Sequence, residues 1–332
     1  MYKKNFLNIF IFFNFIFFIY ISNSYSKEIY IDLKKWDSWL VEFKAEAISS
    51  GISSNTINSI IPKIQVIKRV IELDRNQPEF KLSFEDYLNR VVSNKRVNKG
   101  KKLFEENKII LNKVSEKLGV QPRFIVALWG IETDFGRLTG GFKVIDALAT
   151  LAFEGRRAKY FRKELLNALK IIDEGHISYE KMNGSWAGAM GQPQFMPSSF
   201  LNFALDFDND GKTDIWTNKK DIFASASNYL NKSGWDDSKT WGREVVLPKN
   251  FDLSLINNKK EKLLSEWQLL GIRKKNGNDL PNINLKGRLI KPDKNNFKVF
   301  LVYDNFDTLL KWNRSNYFAL SVGILSDKIA AK

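Results

Sequence analysis

Apolar residues recur along most of this chain at helical spacing. Trp36, Trp39, Leu40 and Phe43 form one stripe, and weaker stripes run through 60–71 and 87–97. Leu111, Val114 and Leu118 share a face within 104–118, with Gly119 as the natural stop. Phe161, Leu165, Leu169 and Ile172 do the same within 144–175. Side chains three, four and seven apart lie on one side of a helix, so 27–120 and 144–175 read as helices and their aromatics as core. Residues 221–232 and 313–329 read as helical too. The pattern changes over 243–303, where Val245-Val246-Leu247 and Phe297 to Tyr303 read as strands around a helix at 261–270. The prediction is an α+β, predominantly α-helical chain without internal repeats. Its expected parts are an export signal at 1–26, a helical domain at 27–242, a small strand-containing subdomain at 243–303 and a C-terminal helical segment at 304–332 that packs back on the helical domain.

One helix carries chemistry. Pro122 suits a first turn, where its missing N–H costs nothing. Phe124, Leu128 and Ile131 then repeat along a buried face into Trp129-Gly130-Ile131-Glu132-Thr133-Asp134-Phe135-Gly136, with Gly136 as the expected stop. Glu132 thus arrives among apolar neighbours. A carboxyl there loses solvation of its charged form and holds a proton to higher pH, as a general acid must. The alternative, on this stretch alone, is a Glu facing solvent at a helix end.

The rest of the inventory narrows the chemistry. The chain has 332 residues, no Cys and one His, His176. Disulfides, thiolate nucleophiles, Ser-His-Asp catalysis and Cys/His zinc sites lack material, so catalysis must rest on Asp and Glu. His176 reads as an ordinary surface histidine. Lys3 and Lys4, the apolar run from Phe6 to Ile21, and small residues at Ser22, Ser24 and Ser26 read as a cleaved export signal, with a retained membrane anchor as the alternative. The net charge of +15 suits an anionic partner, and export argues against nucleic acid.

Two loops stand out. Residues 183–199, Asn183-Gly184-Ser185-Trp186-Ala187-Gly188-Ala189-Met190-Gly191-Gln192-Pro193-Gln194-Phe195-Met196-Pro197-Ser198-Ser199, combine small residues with polar ones, as a ligand-lining loop does; a packed loop between helices is the alternative. Asp206-Phe207-Asp208-Asn209-Asp210-Gly211-Lys212 matches the start of a calcium loop, with carboxylates at alternate positions and Gly at the sixth; a solvated acidic turn is the alternative. Thr217 stands where such a loop ends in a bidentate Glu, so a late ligand must come from beyond, and Asp221 is the nearest candidate.

With these residues in view, the chain resembles the lytic murein transglycosylase B family. The likeness starts at Leu73-Asp74-Arg75-Asn76-Gln77-Pro78-Glu79-Phe80 and is densest around Glu132, in Asp146-Ala147-Leu148-Ala149-Thr150-Leu151 and from Gly184 to Gln192. It continues through Gln194 to Ser199, the Asp206 loop and Trp312-Asn313-Arg314-Ser315-Asn316-Tyr317. It implies a lysozyme-like catalytic core with extra helices, a calcium loop and a small β-containing subdomain. It implies cleavage of the β-1,4 bond between N-acetylmuramic acid and N-acetylglucosamine in peptidoglycan, leaving 1,6-anhydromuramic ends. It carries the catalytic acid onto Glu132. Substrate contacts fall on Ser185, Gln194, Arg156, Arg157, Tyr229, Asn313 and Tyr317. The metal ligands fall on Asp206, Asp208, Asp210, the Lys212 carbonyl and Asp221, around a structural Ca²⁺; no cofactor takes part in catalysis. The implied partners are peptidoglycan glycan strands and wall-synthesis proteins, with a monomer as default and a periplasmic location. Well-known members are lipoproteins tethered through an N-terminal Cys, which this chain lacks.

The resemblance agrees with the residue count. Retaining glycosidases place two carboxyls about 5–5.5 Å apart and inverting ones roughly 6.5–9.5 Å. Asp134, two positions from Glu132, would point elsewhere on a helix. A transglycosylase needs one acid only, because the muramic C6 hydroxyl replaces water. A hydrolytic muramidase and a non-catalytic wall-binding scaffold are the competing readings.

Overall fold

The helices start and stop on residues suited to it. The side chains of Asp32, Ser53, Ser83 and Ser93 accept from first-turn amides of the helices that follow them. These caps also cut the longer apolar patterns. The 60–71 pattern breaks at Pro62 into helix Ser54–Ile60, a 3₁₀ turn Ile61–Lys63 and helix Lys68–Arg75. The 87–97 pattern divides at Ser93 between Phe84–Val91 and Asn94–Glu106. Asn107 then separates Lys108–Leu118, which ends on the left-handed Gly119 (φ 61°).

The computed structural model describes residues 29–331 apart from 77–81, 155, 295 and 296. The export signal expected at 1–26 and part of the Leu73 to Phe80 motif lie outside the described residues. The described residues divide into two compact units, each built from two stretches of chain: 29–76 with 132–228, and 82–131 with 229–331. The division falls inside helices Pro122–Thr133 and Lys219–Lys232, so the segment 27–242 contributes to both units. No helix among the described residues is long and apolar enough to cross a membrane.

The unit that includes 229–331 contains a five-stranded antiparallel sheet in the order Lys262–Leu263, Lys286–Ile290, Val299–Val302, Gly242–Val246, Arg273–Lys274. The expected strands at 245–247 and 297–303 correspond to its central pair. Lys286–Ile290 carried no signal of its own. Val245, Leu289, Val299 and Leu301 line the inner face against Leu264, Trp267 and Ile272. Trp267 is fully buried and donates Nε1–H to the Gly287 carbonyl at 2.9 Å. Helix Asn316–Ala330 packs on Asn94–Glu106 and Phe84–Val91.

The other unit centres on the paired helices Val144–Glu154 and Ala158–Asp173. Val144 to Ala152 are all buried and, apart from Asp146 and Thr150, all apolar, which makes this helix the core of its unit. Lys68–Arg75 packs on one partner of the pair and Pro197–Phe203 on the other. A two-stranded ribbon, Phe142–Lys143 with Asn183–Gly184, leads into the Gly-rich loop.

Candidate active site

From Phe124 to Thr133 every residue of helix Pro122–Thr133 is buried. Glu132 is 7% exposed and Thr133 not at all. The helix stops three residues before Gly136, because Asp134 (φ 50°), Phe135 (φ 61°) and Gly136 (φ 80°) all turn left-handed. Two non-glycine residues there store strain, and such strain collects at functional sites where the surroundings over-determine it. The surroundings are explicit here. The Leu138 N–H bonds the Thr133 carbonyl at 2.8 Å and the Gly136 N–H bonds Thr133 Oγ1 at 3.0 Å. Thr133 Oγ1 donates in turn to the Gln192 carbonyl at 3.0 Å. Phe135 is buried, and Asp134 is held by Arg137 Nε at 2.6 Å. The acid nearest Glu132 in sequence is thereby engaged by a guanidinium.

The Gly-rich loop folds into two tight turns. Ser185 donates its N–H to the Ala189 carbonyl at 2.8 Å, and Ser185 Oγ accepts the Ala189 N–H at 3.0 Å. Met190 pairs with Phe195 through both amides, at 2.7 and 3.0 Å. Gln194 sits between them at φ 54°, its Nε2 donating to the carbonyls of Gly191 (2.8 Å) and Thr139 (3.1 Å). Its side-chain oxygen has no partner among the described residues and remains an acceptor, as the Ser185 hydroxyl remains a donor. After the loop, helix Pro197–Phe203 is fixed by Glu164, a buried acid that accepts the Ser198 N–H (2.8 Å) and Oγ–H (2.7 Å). Glu164 lies on the buried stripe of an amphipathic helix, beside Phe161, Leu165 and Ala168.

Asp206, Asp208 and Asp210 each place a carboxylate oxygen within 4.8 Å of the others. Asp206 accepts the amides of Asp210 and Gly211, which curls the loop. Lys220 Nζ meets Asp208 at 3.0 Å and holds its carboxyl below the ordinary range. Asp221 is fully buried, and its two oxygens accept the amides of Phe207 and Asp214, each at 2.8 Å, clasping both ends of the loop. Burial pushes its carboxyl up; those two bonds lower it, and the charges of Asp208 and Asp206 raise it again. An all-oxygen donor set with a buried carboxylate opposed by like charges fits a hard divalent cation. Asp214, which sequence reasoning left out, accepts from the amides of Trp216 and Thr217. His176 differs from the expected surface residue: it is half-buried against Phe200, and its Nδ1 accepts the Thr213 N–H at 3.1 Å.

The remaining expected contacts are occupied internally. Arg156 reaches the Asp74 carbonyl at 3.1 Å and its carboxylate at 3.6 Å, and Arg157 pairs with the same buried carboxylate while lying over the Phe161 ring. Arg156 keeps half its side chain exposed. Glu132, Ser185, Gln194, both arginines and the acidic loop belong to one unit. Tyr229, Asn313 and Tyr317 belong to the other. There Tyr229 donates to the Lys311 carbonyl at 2.7 Å, with burial pushing its hydroxyl up to about 12. Asn313 accepts the Ser315 amide at 3.1 Å, and Tyr317 bonds Asp293 at 3.0 Å.

A family model described as the transglycosylase SLT domain matches residues 35–327. Membrane-bound lytic murein transglycosylase B of Escherichia coli (strain K12) is 31% identical over 245 residues, 74% of this chain and 66% of that protein's length. Among solved structures, SltB3 from Pseudomonas aeruginosa in complex with NAG-anhNAM-pentapeptide is 40% identical. It superposes with a TM-score of 0.86, covering 89% of this chain and 79% of that one. The Escherichia coli lytic transglycosylase Slt35 in complex with calcium is 26% identical, with a TM-score of 0.73 over 88% of this chain and 92% of that one. The fold is therefore predominantly helical α+β and lysozyme-like, as in these enzymes.

Proposed function

The chain belongs to the transglycosylase SLT domain family, and on that premise we propose that it is a lytic transglycosylase acting on peptidoglycan, with Glu132 as its single acid and base. The observation that carries this reading is the burial of Glu132 at the end of an apolar helix beside an Asp134 already engaged by Arg137. Glu132 gives its proton to the oxygen of the β-1,4 bond between N-acetylmuramic acid and N-acetylglucosamine as that bond breaks. The resulting carboxylate takes the proton of the muramic C6 hydroxyl, whose oxygen bonds C1 of the same sugar. One proton leaves and one returns, and the product carries a 1,6-anhydro ring. The internal hydroxyl has the advantage of proximity over water. A positioned acid contributes on the order of 10²–10⁴ in rate, so sugar binding and distortion supply the rest.

Ser185 and Gln194 offer a donor and an acceptor to the sugar, consistent with the hydroxyl and amide oxygen left over after their internal bonds. Arg156 offers its exposed guanidinium to a substrate carboxylate. Asp206, Asp208 and Asp210, with the Lys212 carbonyl and Asp221, hold a structural Ca²⁺, a reading supported by the donor set and by the calcium complex of Slt35. The substrate, together with the apolar run after Lys3 and Lys4, supports a periplasmic location.

Mass spectrometry of the soluble fragments released from peptidoglycan by the purified protein tests the reading. Fragments lighter by one water than hydrolysed muropeptides are expected. Fragments at the hydrolysed mass would make the protein a muramidase, and no fragments from a folded, calcium-supplied sample would leave only the binding scaffold.

A further inference from the structure

Hydrogen bonds run without a gap from the acidic loop to the end of the Glu132 helix. Asp221 clasps the loop through the Phe207 and Asp214 amides. The Asp214 carboxylate then holds the amides of Trp216 and Thr217. This presents two consecutive carbonyls, Ile215 and Trp216, to a single residue. Gln192 donates its backbone N–H to Ile215 at 2.9 Å and its Nε2–H to Trp216 at 2.8 Å. Its own carbonyl accepts Thr133 Oγ1, which in turn accepts the Gly136 N–H. Thr133 is fully buried and follows Glu132 directly.

We propose that Gln192 is a positioning residue for Glu132, tying the turn that follows the acid to the backbone behind the cation loop, so that cation binding there steadies the acid. The role of Glu132 in this inference rests on the function proposed above; the coupling itself does not. The physical basis is the loop's own electrostatics. Three carboxylates within 4.8 Å, with the buried Asp221 behind them, carry more negative charge than Lys220, paired with Asp208, offsets. Cation binding therefore orders the loop whose carbonyls Gln192 reads. Gln192 suits the task by its length and its two donors. Glu would set a carboxylate oxygen against the Trp216 carbonyl, and Asn is shorter by one methylene.

Hydrogen–deuterium exchange of the full-length protein, in calcium and in chelator, tests this without reference to activity. In the wild type, calcium is expected to slow exchange over 207–217 and also at the Gly136 and Leu138 amides. The effect at 136–138 should be roughly three- to tenfold, the ratio set by the net contribution of one hydrogen bond. In Gln192→Ala the loop should still respond to calcium while 136–138 no longer does, and kcat should fall with KM little changed. Thr133→Val should lose the response at 136–138 and Thr133→Ser keep it. Indifference of 136–138 to calcium in the wild type, or an unchanged response in Gln192→Ala, overturns the proposal. The wild-type measurement decides even if a variant fails to fold. A wild type that shows the coupled protection yet releases no anhydro fragments would overturn the proposed function and leave the coupling standing.

Discussion

A methyl group added at Gly191 probes the same junction. Gly191 has φ 64°, and a Cβ there would lie 2.6 Å from the Ile215 carbonyl oxygen and 2.7 Å from Ile215 Cγ1. Gly175 provides the control, since it has φ 80° and nothing within 4 Å of the same position. Both substitutions to Ala place a side chain in the left-handed region, which costs roughly 1–2 kcal/mol. At Gly191 the Ile215 carbonyl must also move, and it accepts the Gln192 N–H. Leaving that buried pair unmade costs about 1–3 kcal/mol more. At roughly 2–4 °C per kcal/mol, Gly191→Ala is expected to melt about 10 °C below the wild type and Gly175→Ala about 4 °C below. The Gly191 carbonyl also accepts Gln194 Nε2, so release of peptidoglycan fragments at a temperature where both variants are folded should fall in Gly191→Ala alone. Thermal unfolding followed by circular dichroism checks the first point and fragment release the second. Equal melting losses for the two variants would refute the reasoning, because they would mean that the contact with Ile215 contributes nothing.

Glu132→Gln keeps the shape of the buried acid without its transferable proton, and fragment release should drop by at least roughly 10²–10⁴-fold. Sedimentation with insoluble peptidoglycan should remain as in the wild type, and substantial activity in this variant would remove Glu132 from the chemistry. Asp221→Asn replaces an oxygen that accepts an amide at 2.8 Å. The rise in melting temperature on adding calcium to the chelated protein should shrink in that variant, and an unchanged rise would take Asp221 out of the cation site. Asp146 lies buried beneath Tyr179, whose hydroxyl it accepts at 2.8 Å. Burial pushes its carboxyl above the usual 3.8, against Tyr179, the Gln65 amide and Lys143. The folded state therefore binds this proton more tightly than the unfolded chain does. The wild type should lose stability relative to Asp146→Asn as pH rises from about 3.8 through the elevated value, and urea unfolding across that range should show the slope. A difference that does not vary with pH would contradict it.

The two candidate sites stand out in the sequence because their patterns are local. An unbroken apolar run ending in one Glu, and carboxylates at alternate positions before a Gly, are both patterns within about ten residues. The helices around them were visible for the same reason, although Pro62, Ser93 and Asn107 break patterns that hydrophobic spacing alone would run together. What stayed hidden depends on partners far along the chain. Lys286–Ile290 is a strand because Val299–Val302 and Lys262–Leu263 flank it. His176 has a structural place only because the Thr213 amide meets its ring. The pairing of Arg156 and Arg157 with Asp74, more than eighty residues earlier, has no local signal either.

The end of the Glu132 helix shows the same division within a single site. The sequence from Phe124 to Ile131 suffices to build an apolar helix and bury an acid on it. It does not suffice to stop that helix at Thr133, since Phe135 disfavours the left-handed turn it makes and Asp134, though it tolerates that region better, seldom adopts it unaided. The stop comes from Gln192, which takes the Thr133 hydroxyl, and from Arg137, which holds Asp134. Had the helix continued, Asp134 would extend from it as one more charged side chain. On the function proposed above, the acid is delivered by local pattern, and the turn that follows it is held by long-range hydrogen bonds. Substitutions in the Gly-rich loop should then impair the chemistry of Glu132 without changing a residue of its helix.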